Sequence, residues 1–203
     1  LLCSNSPDCI GDGNLFRIRE FNLVETESIG RWSGAAEKKT VRFEGGVVNL
    51  IGSALQSFQV SHNRAYQFFS RLTGTKTLKL SNREVVTAEK DMDGEISLSA
   101  DNSDFHGQLV FANLTSATAP DDKRFSTRIG DVKHWGGTCA GSVDPSRAIV
   151  LQNDLIVYVT NDVAFAAMDR SICVTDGVRL NVSKDKTFTL AKTSTGMGGE
   201  RFV

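Results

Sequence analysis

The stretch His134–Asp144, HWGGTCAGSVD, holds the residues of this chain best suited to chemistry. A cysteine flanked by small residues and close to glycines can act as a nucleophile, with neighbouring backbone N–H groups forming an oxyanion hole. Cys139 has that setting, and His134 stands five residues upstream. The same cysteine can instead be half of a disulfide, which removes the thiolate and with it any nucleophilic role. Cys3, Cys9 and Cys173 are the other cysteines, so the count is even. Four cysteines allow three pairings, and the one favoured here is Cys3–Cys9 with Cys139–Cys173. The second bridge closes a loop of about 33 residues, worth ~3–4 kcal/mol in the chain-entropy view. Zinc is disfavoured, because the C-x5-C spacing of Cys3 and Cys9 departs from the close pairs of structural zinc sites.

The segment GTCAG, residues 137–141, resembles the G-x-C-G-G loop of viral chymotrypsin-like cysteine proteases. That resemblance implies a β-barrel hydrolase with Cys139 as nucleophile, His62 as base and Asp91 or Glu84 as its orienter. Three features depart from the pattern. Ala140 replaces a glycine, no histidine follows His134 to complete a substrate pocket, and His62 falls on an apolar face. Nor do the glycines give His134 a rigid frame from which to serve Cys139. The disulfide reading therefore takes precedence over the catalytic one.

Other candidates are binding residues. Trp135 between His134 and two glycines, and Trp32 in IGRWSG, are aromatics able to stack on a sugar or anchor a protein partner. Trp135, His134 and Trp32 are accordingly the expected ligand contacts. The run EKDMDGEISLSA has carboxylates at Glu89, Asp91 and Asp93 before Gly94, as in a calcium loop, but Ala100 stands where the bidentate glutamate belongs, so no metal is expected. Asn113-Leu114-Thr115 and Asn181-Val182-Ser183 are sequons, acceptors for a glycan in a eukaryotic secretory pathway. No phosphate-binding loop is present and no cofactor is implied.

The elements that must position these residues read as β. Turn dipeptides punctuate short β-favouring runs. TVRFE-GG-VVNLI (40–51) and CVTDGVRLNV (173–182) read as hairpins, and residues 148–190 as a meander of four or five strands. No internal repeat is evident. Strand signals every eight to twelve residues predict an antiparallel β-sandwich or barrel. One helix is expected over about 54–72, where Leu55, Phe58, His62, Ala65, Phe69 and Leu72 recur at spacings of three and four, with Ser53 and Gln56 as a capping box. The organisation expected is one β-rich domain over 1–203, with 1–13 as a disulfide-tied loop and 194–203 as a mobile tail.

Composition sets the outer limits. Of 203 residues 40% are hydrophobic and 23% charged, the net charge is −1, and no basic run exceeds two residues. That argues against nucleic acid as a partner, and no apolar run is long enough for a membrane-spanning helix. The expectation is a secreted or surface-exposed recognition domain, outside the cell or on a cell or virion surface, binding a glycan or protein receptor in the manner of a fimbrial adhesin or viral attachment glycoprotein. The cysteine hydrolase is the alternative. A structural subunit of a pilus or capsid, part of a larger assembly joined through strand edges, is the third reading.

Overall fold

The computed structural model describes residues 15–17, 20–23, 26–29, 39–50, 55–60, 64–82, 94–114, 124–137, 145–166 and 169–190. Through these the chain coils around one axis. The first turn comprises β1 (Leu15–Arg17), β2 (Glu20–Leu23) and β3 (Thr26–Ile29), the second β4 (Lys39–Glu44), β5 (Val47–Leu50) and β6 (Leu55–Val60), the third β7 (Arg64–Phe68), β8 (Arg71–Gly74) and β9 (Thr77–Asn82). The fourth has β10 (Glu95–Leu98), a single bridge from Phe105 to Gly74, and β11 (Leu109–Ala112). The fifth has β12 (Ser126–Ile129), a 3₁₀ turn Val132–Trp135, and β13 (Ile149–Gln152). The sixth has β14 (Leu155–Val159), β15 (Val163–Phe165) and β16 (Ile172–Thr175), and the seventh β17 (Val178–Val182) and β18 (Phe188–Leu190).

Each strand pairs with its counterpart one turn away, never with its sequence neighbour. The first face is β1-β4-β7-β10-β12-β14-β17 and the third is β3-β6-β9-β11-β13-β16. The second face carries β2-β5-β8 and, further on, β15-β18. Every pairing is parallel, for example Leu109↔Ile149, Ile149↔Ile172 and Val159↔Val182. The fold is a three-faced parallel β-solenoid, in which each turn rests on its neighbours.

This overturns the antiparallel sandwich or barrel. The two dipeptides read as hairpin turns, Gly45-Gly46 and Asp176-Gly177, are corners, and Asn153-Asp154 forms another. Gly45-Gly46 (φ 71° and 59°), Asn153-Asp154 (61° and 56°) and Asp176-Gly177 (59° and 76°) each place two successive residues in the left-handed region. That local geometry also belongs to a type I′ hairpin. Here the N–H groups bond along the axis: Asn153 N–H donates to Thr175 O at 3.1 Å, and Asp154 N–H to Gly177 O at 3.0 Å. The meander over 148–190 is likewise six parallel strands, β13 to β18.

The helix expected over 54–72 is also absent. Leu55–Val60, Arg64–Phe68 and Arg71–Gly74 are strands on three faces. The residues facing inward are Tyr66, Phe68 and Leu72, at 2%, 2% and 1% exposure, whereas Phe69, placed on the supposed apolar stripe, is 36% exposed. Corners interrupting short strands imitate a three-to-four spacing. The structural repeat escapes the sequence because paired residues lie anywhere from 22 apart (Leu55↔Thr77) to 40 apart (Leu109↔Ile149).

Inside, like stacks on like. Phe43 lies on Phe68 with centroids 4.5 Å apart and planes 6° from parallel. Phe111, Trp135, Phe165 and Phe188 follow one another at 5.1, 6.3 and 6.0 Å. At the corner after the third face, Asn82 and Asn113 form a ladder. Asn82 Nδ2 donates to Asn113 Oδ1 (3.1 Å), Leu114 N–H to Asn82 Oδ1 (2.6 Å) and Phe125 N–H to Asn113 Oδ1 (3.3 Å).

Arg170, 1% exposed, ties the second and third faces together. Its Nη1 donates to Gly107 O (2.7 Å) and Arg147 O (3.2 Å), its Nη2 to Phe105 O, and its guanidinium sits 5.1 Å from the Phe105 ring centroid. The glycine at 136 serves this group. A Cβ at Gly136, where φ is 94°, would lie 2.6 Å from Arg170 Nε.

A buried charge held by three carbonyls is costly to disturb, because its removal strands the acceptors. Arg170→Met is expected to lower unfolding free energy by about 3 kcal/mol in urea titrations, with Arg170→Lys losing less. Asn113→Ala, which opens the ladder, is expected to lose about 2 kcal/mol by the same measurement.

Candidate recognition surface

The outward side of the first face is a registered array of side chains. Along it Gln67 pairs with Ser97, Arg128 with Tyr158 and Tyr158 with Asn181. Beside this column, Glu95 pairs with Ser126 and Ile156 with Arg179. Adjacent strands lie ~4.8 Å apart, so groups remote in sequence stand side by side.

Glu95 and Arg128 form the fixed centre of that face. Arg128 Nε donates to Glu95 Oε1 at 2.7 Å and Nη2 to Oε2 at 3.1 Å, a bidentate fork. The carboxylate side chain is 3% exposed and the guanidinium side chain 48%. The hydrogen bond to Glu95 raises the Arg128 pKa, burial opposes this, and the charges of Glu95 and Tyr158 add to the rise. The guanidinium also lies 5.2 Å from the Tyr158 ring centroid. Glu95 takes Nε and Nη2, so Nη1 is the donor not engaged by that carboxylate. The ensemble sets an oriented cation beside a phenol ring, with Asn181 next in the column.

A second polar group lies at the corner between the first and second faces. Asp101 Oδ1 accepts from the Ser103 hydroxyl (2.6 Å) and N–H (3.1 Å), bonds that hold the Asp101 carboxyl below its usual pKa. Lys133 Nζ stands 3.7 Å from Asp101. Asp131 accepts the Lys133 N–H at 2.9 Å and so starts the 3₁₀ turn. Asn102 Nδ2 donates to His134 O at 2.7 Å, while its Oδ1 accepts from Leu72 N–H.

Of the expected ligand contacts, His134 is half-buried at this corner, and its Nδ1 accepts from Gly130 N–H at 3.4 Å. Burial pushes its pKa down, against the pull of Asp131 and Asp101. Trp135 is 0% exposed and packs on Phe111 and Phe165, so its ring is a core group rather than a platform for a sugar. Trp32 lies outside the described residues, as do Cys3, Cys9, Cys139, His62 and Asp91.

Cys173 is on β16, paired with Val150 on the outward side of the third face and buried with Val110, Ala112 and Ala148. Asn113 is 1% exposed and its side chain takes part in the ladder. Asn181 is exposed on β17. No His, Cys, Asp and Glu grouping fit for a metal occurs among the described residues, and no helix there is long and apolar enough to cross a membrane.

Glu95, Arg128 and Tyr158 were not singled out by sequence. They lie 33 and 30 residues apart, and only the register of the turns joins them.

His134 generates a pH prediction. Its folded pKa lies below the unfolded value of about 6.5, so the unfolded chain binds the extra proton and stability falls as pH drops through and below that value. The melting temperature of the wild type is expected to fall between pH 7.5 and 5.5 by more than that of His134→Gln. Equal slopes for the two proteins would contradict the assignment. No protein-family model, characterised protein or solved structure matches this chain.

Proposed function

We propose that the protein is a secreted or surface-exposed recognition domain whose outward first face binds a glycan or a receptor protein. The observation that carries this reading is the Glu95–Arg128–Tyr158 cluster. A guanidinium oriented by a buried carboxylate and laid against a phenol ring loses little freedom when a ligand arrives, and such preorganisation favours binding. Fixed cations, aromatic rings and amides in a shallow array suit the hydroxyls and apolar faces of sugars, or the polar surface of a receptor.

The solenoid contributes the setting. The fifth, sixth and seventh turns carry Arg128, Tyr158 and Asn181 in one column, so a ligand lying along the face meets a series of contacts. The resemblance of GTCAG to chymotrypsin-like cysteine proteases implied a β-barrel, and the all-parallel turns depart from that fold.

Glycan arrays and cell-surface receptor capture with the intact protein test the proposal. A ligand is expected whose affinity drops about tenfold or more in Arg128→Ala and in Tyr158→Ala, while Lys79→Ala on the third face leaves it unchanged. A ligand indifferent to both first-face variants, or the failure of every glycan and receptor probe, would overturn it.

A further inference from the structure

Two arginines share one outward column of the first face. Phe43 belongs to the core, so its neighbour Arg42 on β4 faces out. Arg42 pairs with Gln67, and Gln67 with Ser97. Glu95 pairs with Ser126, which sets Ser97 opposite Arg128 two residues further along both strands. The strands β4, β7, β10 and β12 are consecutive in the sheet, so Arg42 and Arg128 stand three strand spacings, or ~14 Å, apart. From Arg128 the column continues to Tyr158 and Asn181.

Both guanidiniums are exposed and both lie against a ring. The Arg42 side chain is 51% exposed and its guanidinium carbon lies 4.7 Å from the Phe69 ring centroid. For Arg128 the values are 48% and, to Tyr158, 5.2 Å. Ser97 between them is 3% exposed. Glu95 accepts from Nε and Nη2 of Arg128, and a guanidinium carries five N–H donors, so its outer Nη1–Nη2 edge is not engaged by that carboxylate. Arg42 meets Glu44 through Nε at 3.9 Å, an exposed pair of the kind that contributes little. An Nη1–Nη2 edge is a fork that holds a carboxylate or sulfate through two parallel N–H bonds.

We infer that the ligand of this face is an acidic polysaccharide, with carboxylate or sulfate groups on a hydroxylated chain, spanning Arg42 and Arg128. The inference rests on the recognition reading and names its ligand class. The charge pattern suits sparse anions. Each cation has a carboxylate beside it, Glu44 or Glu95, and the whole chain carries a net charge of −1. A nucleic acid, with a charge every ~1.7 Å of duplex axis, brings more anions than such a face neutralises. An extended peptide adds to a sheet through a free edge, and β7, β10 and β12 are paired on both sides. A sugar polymer places hydroxyls and apolar ring faces between its acidic groups, and these match the amides of Gln67 and Asn181 and the ring of Tyr158.

Affinity electrophoresis of the intact protein through gels holding alginate, hyaluronate, dextran sulfate or uncharged dextran tests it. Retardation by alginate or hyaluronate is expected if carboxylates are read, and by dextran sulfate alone if sulfates are. Dextran leaves mobility unchanged, and added salt weakens the retardation. Arg42→Gln and Arg128→Gln are each expected to lower affinity for the retarding polymer about tenfold, while Lys79→Ala on the third face leaves it unaltered. If Arg128→Gln fails to fold, Arg42→Gln decides, because the Arg42 pair is exposed. Failure of all three charged polymers, or binding undiminished in Arg42→Gln, would overturn the inference. So would polyglutamate or single-stranded DNA displacing the protein as well as the polymer itself does. A neutral glycan or a protein receptor whose affinity depends on Arg128 and Tyr158 overturns the ligand class and leaves the recognition reading standing.

Discussion

Everything in this molecule depends on the stacking of one turn on the next through parallel strands. A parallel strand gains its hydrogen bonds only from a partner a full turn away, so no element of the fold is stable by itself. Inward columns such as Phe43 on Phe68, or Phe111 through Trp135 to Phe165, bury apolar area at each step. The corners are satisfied in the same direction, by backbone bonds along the axis, by the Asn82–Asn113 ladder and by the Arg170 guanidinium. Cooperativity is therefore local along the axis and unforgiving at a corner. One lost carbonyl partner inside the coil costs more than a surface ion pair contributes.

The same repetition creates the candidate surface. A solenoid turns distance in sequence into adjacency in space, and it does so outside as well as inside. Glu95 is almost wholly buried on an outward-facing position, and its carboxylate is held by the Arg128 fork. The pair is partly structural, since two charge-assisted bonds hold two neighbouring turns together. It is also what fixes the guanidinium against Tyr158. The corner with His134 behaves differently. Its charges are exposed and screened, and the histidine's own tie is a long bond from Gly130.

Much of the local structure is legible in the sequence, and the global pairing is not. Strand content and the positions of Gly45-Gly46, Asn153-Asp154 and Asp176-Gly177 as turns are readable, because the left-handed region selects Gly, Asn and Asp. Whether such a turn folds a strand back or leads it round a corner depends on hydrogen bonds to residues many positions away. One clue did point to parallel pairing. LVFA and IVL in β11 and β13 are apolar without alternation and buried on both sides. At the site, Trp135 and His134 drew attention by type, yet burial divides them: the ring fills the core and the imidazole reaches the surface. The glycines of HWGG, suggestive of a catalytic loop, include Gly136, which leaves room for a buried arginine 34 residues further on.

The most direct test of the parallel coil is the pattern of inter-strand proton contacts in a nuclear Overhauser spectrum of the isotope-labelled protein. Parallel stacking predicts amide contacts from β13 to β16, in the register of Val150 with Cys173, and none between the Hα protons of the strands flanking Gly45-Gly46 or Asp176-Gly177. Strong Hα–Hα contacts between Phe43 and Val48, or between Val174 and Arg179, would restore the hairpins and contradict the solenoid.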